Sequence, residues 1–463
     1  MKGKIDINPI TRLEGHGRIK VMVDDKGQVT RTYLQVPDFK GFEAFCRGRP
    51  AEEMPIITEK ICGVCPTAHH TASSKALDQL FGVQPPLAAR KLRELMYCAF
   101  VYEDHLLHFY FFGGPDLILG SSSPAPARNI LGISDKLGPG FTSQMMRIRD
   151  KVRSITAIIG GSPLYPVSGL PGGLSKPITE QDRATIREVA EDAIEFAAKT
   201  IDLFHSRVLS SSDFRQLVTS SAFELRTYYM GMVDEADRVN FYDGIIKIVG
   251  PDGRELTRFH PQDYLYHLAE RLEPWTYQKV LYLRNIGWKG YIDGPHSGVY
   301  RVGPLARLNV SESMPTPLAQ EEFDRMHEFF AARPVHNTLA YHWARLVEVM
   351  YAAERMKELS SDPVITSEHV RNVPANGPIR TSTVGACEAP RGTLFHHYEI
   401  DERAIITTLN LVVATQNSAA AISMSVDKVA KSFFNYTNKE TRDPNLLEMA
   451  FRAYDPCLAC ATH

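Results

Sequence analysis

Four of the seven cysteines fall in two Cys-x-x-Cys pairs near opposite ends of a 463-residue chain. Cys62 and Cys65 lie in "EKICGVCPTAHH", and Cys457 and Cys460 in "AYDPCLACATH". Four thiolates together suit a soft cation, because each sulfur is both anionic and polarizable. A disulfide framework fits less well, since the cysteine count is odd and four of the seven sit in tight pairs. Spacing alone leaves two readings open. One is a closed four-cysteine zinc that only ties the chain ends together, and the other is a catalytic metal with an open position. Cys46, Cys98 and Cys387 read as small buried hydrophobes. The second pair is followed at once by His463. Chain ends usually fray, so reactive groups in the last turn imply an end that is buried and used.

Other reactive residue types stand near these pairs or in short motifs of their own. Glu14 and His16 lie in "RLEGHGRI", Glu43 in "KGFEAF", Asp116 in "GGPDL" and Thr415 in "LNLVVAT". His69 and His70 follow Cys65, Arg391 sits in "CEAPRGTLFHH", and Asp455 precedes Cys457. Each also has an ordinary structural reading, as a solvated carboxylate, a capping arginine or a core histidine.

The elements that must position them are mostly helical. Apolar residues recur at three- and four-residue spacing over 85–112, in "TSQMMRIRDKVRSITAIIG", and in "TEQDRATIREVAEDAIEFAAKTIDLFHSRVL" with Thr179 as N-cap. The same period marks "AQEEFDRMHEFFAAR", "NTLAYHWARLVEVMYAAERMKEL" and "DPNLLEMAFRAYDPC", and shorter helices are expected in "PAEEMPIITEKI" and "HHTASSKALDQLF". Alternating runs predict a hairpin at the N-terminus around "DDKG", short strands in the middle and a second hairpin in "GTLFHHYEIDERAIITTLNLVV". The expected fold is α+β and predominantly helical, a central bundle of long helices with β-rich excursions at the N-terminus, in the middle and near the C-terminus. One domain over 1–463 is expected, with a β-rich insertion at about 215–310.

Hydrophobic content of 44% and charged content of 23% are ordinary for a globular protein. A net charge of -2 without a Lys/Arg-rich run excludes a nucleic-acid footprint. The opening "MKGKIDINPITRLEGHGRIK" has no apolar signal-peptide region. The most apolar stretch, "YCAFVYEDHLLHFYFFGG", is broken by charges and histidines, which argues against a membrane span. A soluble protein of a reducing compartment is expected.

At "RLEGHGRI", "EKICGVCPTAHH", "CEAPRGTLFHH" and "AYDPCLACATH", taken in order from end to end, the chain resembles the large, catalytic subunit of NiFe-hydrogenases. The resemblance implies a nickel–iron centre on Cys62, Cys65, Cys457 and Cys460, with Cys65 and Cys460 bridging the two metals and the iron carrying carbon monoxide and two cyanides. It implies that Glu14 transfers the proton, that Arg391 overhangs the open metal position, and that Asp455 and Asp116 orient that arginine. His69 is expected to hydrogen-bond a bridging sulfur, and Thr415 an iron-bound cyanide. Glu43, the Leu411 carbonyl and His463 are expected to hold a magnesium or iron ion. Family members lose a C-terminal extension after this histidine, so a chain ending there is expected to be the processed form. The chain departs from the family pattern at Lys60, where an arginine is usual; the charge is kept and the planar fork is lost.

The implied reaction is reversible heterolytic cleavage of H2, which needs an electron-rich soft metal and a nearby base. The three cysteines outside the pairs are too few for an iron–sulfur cluster, which needs about four thiolates, so an obligate iron–sulfur small subunit is expected, along with further electron-transfer subunits. The motifs look most like the cytoplasmic, multi-subunit branch, whose acceptors are NAD(P), a deazaflavin or a heterodisulfide-reductase-type partner. A membrane-associated complex, or one exported with its small subunit, is the alternative location. The competing function is a non-catalytic, metal-holding scaffold subunit of a redox complex.

Overall fold

The computed structural model describes residues 3–375, 379–434 and 444–463. It is 49% helical and 18% strand, so helices dominate an α+β fold. The principal helices are α1 (Pro66–Leu80), α2 (Leu87–Leu107), α3 (Pro139–Gly160), α4 (Glu180–Leu203), α5 (Pro304–Val310), α6 (Pro317–Phe330), α7 (Ala340–Ser361), α8 (Ala419–Phe433) and α9 (Pro444–Arg452).

α7 is the central rod, packed against α2, α4 and α6. It is buried all round from Ala340 to Ala353, with His342, Arg345 and Glu348 inside the core. A helix enclosed on every side must pair its polar residues internally, and Glu348 does so with Arg307 and His105. α4 starts where its sequence predicts. Thr179 accepts from the Asp182 amide at 3.1 Å while the Asp182 carboxylate takes the Thr179 amide at 2.9 Å, a reciprocal cap.

Two expectations need adjusting. The periodic run over 85–112 leaves α-helix at Leu107 and continues as a π-helical turn, His108–Gly113. The wider turn re-aims His108 relative to an unbroken helix. The segment "PAEEMPIITEKI" is not one helix but three short turns, Ala51–Glu53, Met54–Thr58 and Glu59–Ile61.

The β-rich excursions form separate sheets. β1 (Gly3–Ile7), β2 (Arg18–Val23) and β3 (Val29–Gln35) make an antiparallel meander at the N-terminus. In the middle, β4 (Tyr228–Val233), β5 (Ile245–Val249) and β6 (Glu255–Phe259) pair in order, and β7 (Tyr300–Arg301) adds to β4 in parallel. Near the C-terminus β8 (Ser382–Ala389), β9 (Gly392–Ile400) and β10 (Ile406–Val412) form a third sheet. The sequence pattern does not reveal β8. Seven of its eight residues are buried, so no alternation marks it. It lies flat on α1 at Gly385, where a Cβ would stand 1.9 Å from the Ala72 carbonyl oxygen.

Candidate metal centre

The first pair is set by the start of α1. Cys65 caps the helix and Pro66 takes its first position, where a missing N–H costs nothing. The loop before it folds onto its own sulfur, with the Val64 and Cys65 amides donating to Cys62 Sγ at 3.2 and 3.3 Å.

The second pair arrives from the other end of the chain. Cys457 caps the short helix Leu458–Ala461, and its amide donates to Thr415 Oγ1 at 3.0 Å. The N-terminal arm runs alongside: the Leu458 amide donates to the Glu14 carbonyl, and the Ala459 amide to Glu14 Oε2, both at 3.0 Å. Gly15 makes this approach possible. Its φ is +88°, and a Cβ there would meet Leu458 Cβ at 2.9 Å.

The four sulfurs converge within 4.8 Å of one another, all buried. Cys62 lies 3.3 Å from Cys457, Cys65 3.2 Å from Cys460, and Cys457 2.9 Å from Cys460. Burial and the neighbouring sulfurs push the Cys457 and Cys460 thiols well above their ordinary value. Cys62 is lowered despite burial, by hydrogen bonds from Cys457 and Cys460. Crowding four buried sulfurs together thus disfavours several thiolates at once, which is the electrostatic situation a cation relieves.

The other groups stand around this cluster. Glu14 Oε2 is 3.0 Å from Cys457 Sγ. Thr415 lines the same small cavity as Arg391, Leu394, Val413 and Ala414. Its oxygen accepts from Cys457, which leaves its own proton free to donate. His69 Nε2 is 3.5 Å from Cys460 Sγ, and its Nδ1 is 3.1 Å from His396 Nε2. His396 Nδ1 continues to the Tyr398 hydroxyl at 2.8 Å, and Tyr398 to Ser73 at 2.8 Å. Burial lowers His69 to about 4, so it is neutral near pH 7 and offers one donor and one acceptor.

Arg391 is buried between two carboxylates. Nη1 is 3.1 Å from Asp104 Oδ2, and Nη2 is 3.0 Å from Asp455 Oδ2. Asp455 also meets His108 Nδ1 at 2.9 Å. Burial lifts Asp104 to about 7 against the pull of Arg391, and the Asp455 charge adds to the lift. Asp455 is held low although burial opposes it, by Arg391 and then His108.

The structure corrects one partner of Arg391. Asp116 is not beside it. Asp116 lies past the π-helical turn and pairs with Arg12 Nη2 at 2.5 Å and with Arg452, tying the N-terminal arm to α9. Asp104, on the inner face of α2, takes the role expected of Asp116. A signal for it was present in "YEDHLLHFY", where Asp104 and His108 stand one turn apart in an apolar run. His16 is exposed and lies 2.8 Å from Asp38, away from the sulfurs. His70 accepts from the Gly169 amide at 3.2 Å. Lys60 meets Glu59 at 2.9 Å and lies over the Tyr165 ring.

A second cluster forms at the chain end. His463 Nε2 is 3.4 Å from Glu43 Oε1, and its Nδ1 is 2.7 Å from the Cys460 carbonyl. Leu411 is present through its amide, which donates to Glu43 Oε1 at 2.9 Å. In a strand a residue's N–H and C=O face the same edge, so the Leu411 carbonyl is turned to this side as well. Burial opposes the ionisation of Glu43, yet His463, the Leu411 amide and Lys279 together hold it below its ordinary value.

The donor set fits the expected group. Cys65, Cys457 and Cys460 line a small cavity with the apolar side chains of Ala68, Leu394, Val413 and Ala414, and Cys62 completes the group of four sulfurs. Arg391 Nε is buried without a hydrogen bond within the described residues, a donor available to an anionic ligand, while Nη1 and Nη2 face Asp104 and Asp455. Comparison with known proteins agrees. A family model described as "Nickel-dependent hydrogenase" matches residues 40–119 and 266–463, and a HoxL-like model matches 4–39. An F420-non-reducing hydrogenase iron-sulfur subunit of Archaeoglobus profundus is 43% identical over 99% of this chain and 94% of its own length. The NAD-reducing hydrogenase HoxS subunit beta of Cupriavidus necator is 34% identical over 100% of this chain and 95% of its own. A crystal structure of an NAD+-reducing NiFe-hydrogenase in the H2-reduced state matches with a TM-score of 0.89 at 34% identity, over 100% of this chain and 99% of that one. The Ni-Fe-Se hydrogenase from D. vulgaris Hildenborough shares the fold, with a TM-score of 0.78 at 20% identity and full coverage of both chains. Buried sulfurs from both chain ends, an arginine between two acids and near full-length similarity to these enzymes lead to one assignment: this chain belongs to the nickel-dependent hydrogenase family, as a large subunit.

Proposed function

We propose that this subunit cleaves H2 reversibly into protons and electrons, and that Cys62, Cys65, Cys457 and Cys460 would hold a nickel–iron group, Cys62 and Cys457 on the nickel and Cys65 and Cys460 toward both metals, the iron carrying carbon monoxide and two cyanides. When bound, that group supplies the soft, redox-active site where H2 splits. The chain's own residues hold it and move the proton. The observation that carries the reading is Glu14 Oε2 lying 3.0 Å from Cys457 Sγ, within reach for direct transfer. Arg391 presents a fixed positive charge, held from both sides by Asp104 and Asp455. His69 tunes Cys460 through its hydrogen bond, and Thr415 has a hydroxyl proton to offer a cyanide. Glu43, His463 and the Leu411 edge suit a hard cation, magnesium or iron, which would fasten the chain end.

Electrons leave through an iron–sulfur small subunit to further electron-transfer subunits. The relatives' names support more than one terminal acceptor, one being NAD-reducing and another F420-non-reducing. No described helix is long and apolar enough to cross a membrane, and we place the complex in the cytoplasm. An infrared spectrum of the purified complex tests the centre. Metal-bound carbon monoxide and cyanide bands that shift under H2 are expected. One zinc per chain and no such bands would overturn the proposal.

A further inference from the structure

The hairpin that carries Arg391 is built against its own turn geometry. β8 and β9 stay paired up to Ala389 and Gly392, which leaves Pro390 and Arg391 as a two-residue turn. Such turns favour types I′ and II′, which need positive φ at the first position. Proline is fixed near about −65°, and Arg391 is not among the residues of positive φ. The positive φ falls instead on Gly392, at +134°, and outside groups add to the hold on the turn.

Arg307 of α5 supplies that hold. It is 0% exposed, and each of its N–H groups has a partner. Nη1 donates to the Ala389 carbonyl at 2.9 Å and to Glu388 Oε2 at 2.8 Å. Nη2 donates to the Pro390 carbonyl at 3.1 Å and to Glu348 Oε2 at 2.6 Å, and Nε donates to Glu348 Oε1 at 2.6 Å. That uses the full donor capacity of a guanidinium. The acids are fixed in turn. Glu348 meets His105 at 2.8 Å, and Glu388 Oε1 accepts from Thr393 at 2.7 Å and from the Met232 amide at 2.9 Å. Tyr97 completes the cradle by donating to the Glu388 carbonyl at 2.8 Å. Asp104 and His105 are neighbours on α2. One meets the Arg391 side chain, and the other reaches its backbone through Glu348 and Arg307.

We propose that Arg307 is a positioning residue for Arg391, clamping the two carbonyls before it so that the guanidinium is fixed over the sulfurs. The proposal rests on the reading of Arg391 as acting at the metal centre. The test is a double-mutant cycle of Arg307→Lys with Arg391→Lys in the purified, metal-loaded complex. Arg307→Lys keeps the charge but has no planar fork and fewer donors. Nickel content should be unchanged and the KM for H2 should stay within about twofold. The infrared bands should shift in the same direction as in Arg391→Lys, and kcat should fall about 10–100-fold, as expected for small misplacement. In the Arg391→Lys background, Arg307→Lys should change kcat less than about twofold, because neighbours acting as a unit are non-additive. Wild-type bands and rate in Arg307→Lys, or fully additive losses, overturn the inference. A wild-type rate in Arg391→Lys overturns instead the reading of Arg391 on which it rests. If Arg307→Lys does not accumulate with nickel, Tyr97→Phe decides the matter. A smaller band shift in the same direction supports the clamp, and unchanged bands overturn it.

Discussion

The first cysteine pair is fixed by its own neighbourhood, and the second by distant parts of the chain. Cys62 is wrapped by the amides of residues 64 and 65 at the head of a long helix. Cys457 caps, and Cys460 sits on, a four-residue helix held by Thr415, by Glu14, and by His463 on Glu43. The Thr462 carbonyl is taken by the Lys40 amide at 2.9 Å. Half of the centre is therefore a local structure, and the other half is an arm fastened into place. Perturbing a remote residue should loosen the second half alone.

The comparison disappears when a ligand itself is lost. Cys62→Ser and Cys460→Ser should each reduce H2-dependent dye reduction more than about 1,000-fold and deplete nickel, measured by metal analysis, because a metal site missing a ligand is incomplete. Glu14→Gln separates proton transfer from tethering. It keeps an acceptor for the Ala459 amide but cannot take a proton, so activity should drop about 100–1,000-fold while the thermal midpoint barely moves. Removal of His463 should show the asymmetry directly. Hydrogen exchange should accelerate about tenfold or more over 457–462 and stay unchanged over 62–70, as expected for local opening; equal acceleration in both would break the comparison.

The smallest effect belongs to the locally built half. Glu59, buried just before the first pair, is raised from its ordinary 4.5 to about 7 by burial, with Lys60 opposing. Between these values the folded chain keeps a proton that the unfolded chain has lost, so stability falls as pH rises from about 4.5 to about 7. Glu59→Gln removes that slope. Its apparent thermal midpoint should rise roughly 2–4 °C at pH 8 and hardly change at pH 4, as calorimetry would show.

The parts of the centre that declare themselves in sequence are those whose chemistry is carried by residue type and short spacing. The sulfurs are of this kind; Glu14 and the metal-holding role of His463 were expected only through the family resemblance of their motifs. Periodicity revealed α2, α4 and α7, because each keeps one repeat over many residues. The π-helical turn was hidden, since the apolar pattern runs through it without a break. Asp104 was hidden for the same reason. It stands on an apolar helix as if it were an interruption, and only the fold shows that Arg391 lies opposite. Arg307 is hidden more deeply, because its partners are backbone carbonyls, which leave no mark on composition.

The contact between Glu14 and Cys457 closes a separation of 443 positions, and this fixes an order of events. A chain grows from its N-terminus at about 5–20 residues per second. The sulfurs of Cys62 and Cys457 are 395 positions apart, so the first waits roughly 20–80 s for the second. α1 itself packs mainly on β8, so its head with the first thiol pair is completed only after residues 382–389 have been made. Loop closure over such a span costs only slightly more than over half of it, so the delay comes from synthesis rather than from entropy. The two halves of the centre thus differ in age as well as in support, and the younger one closes the older.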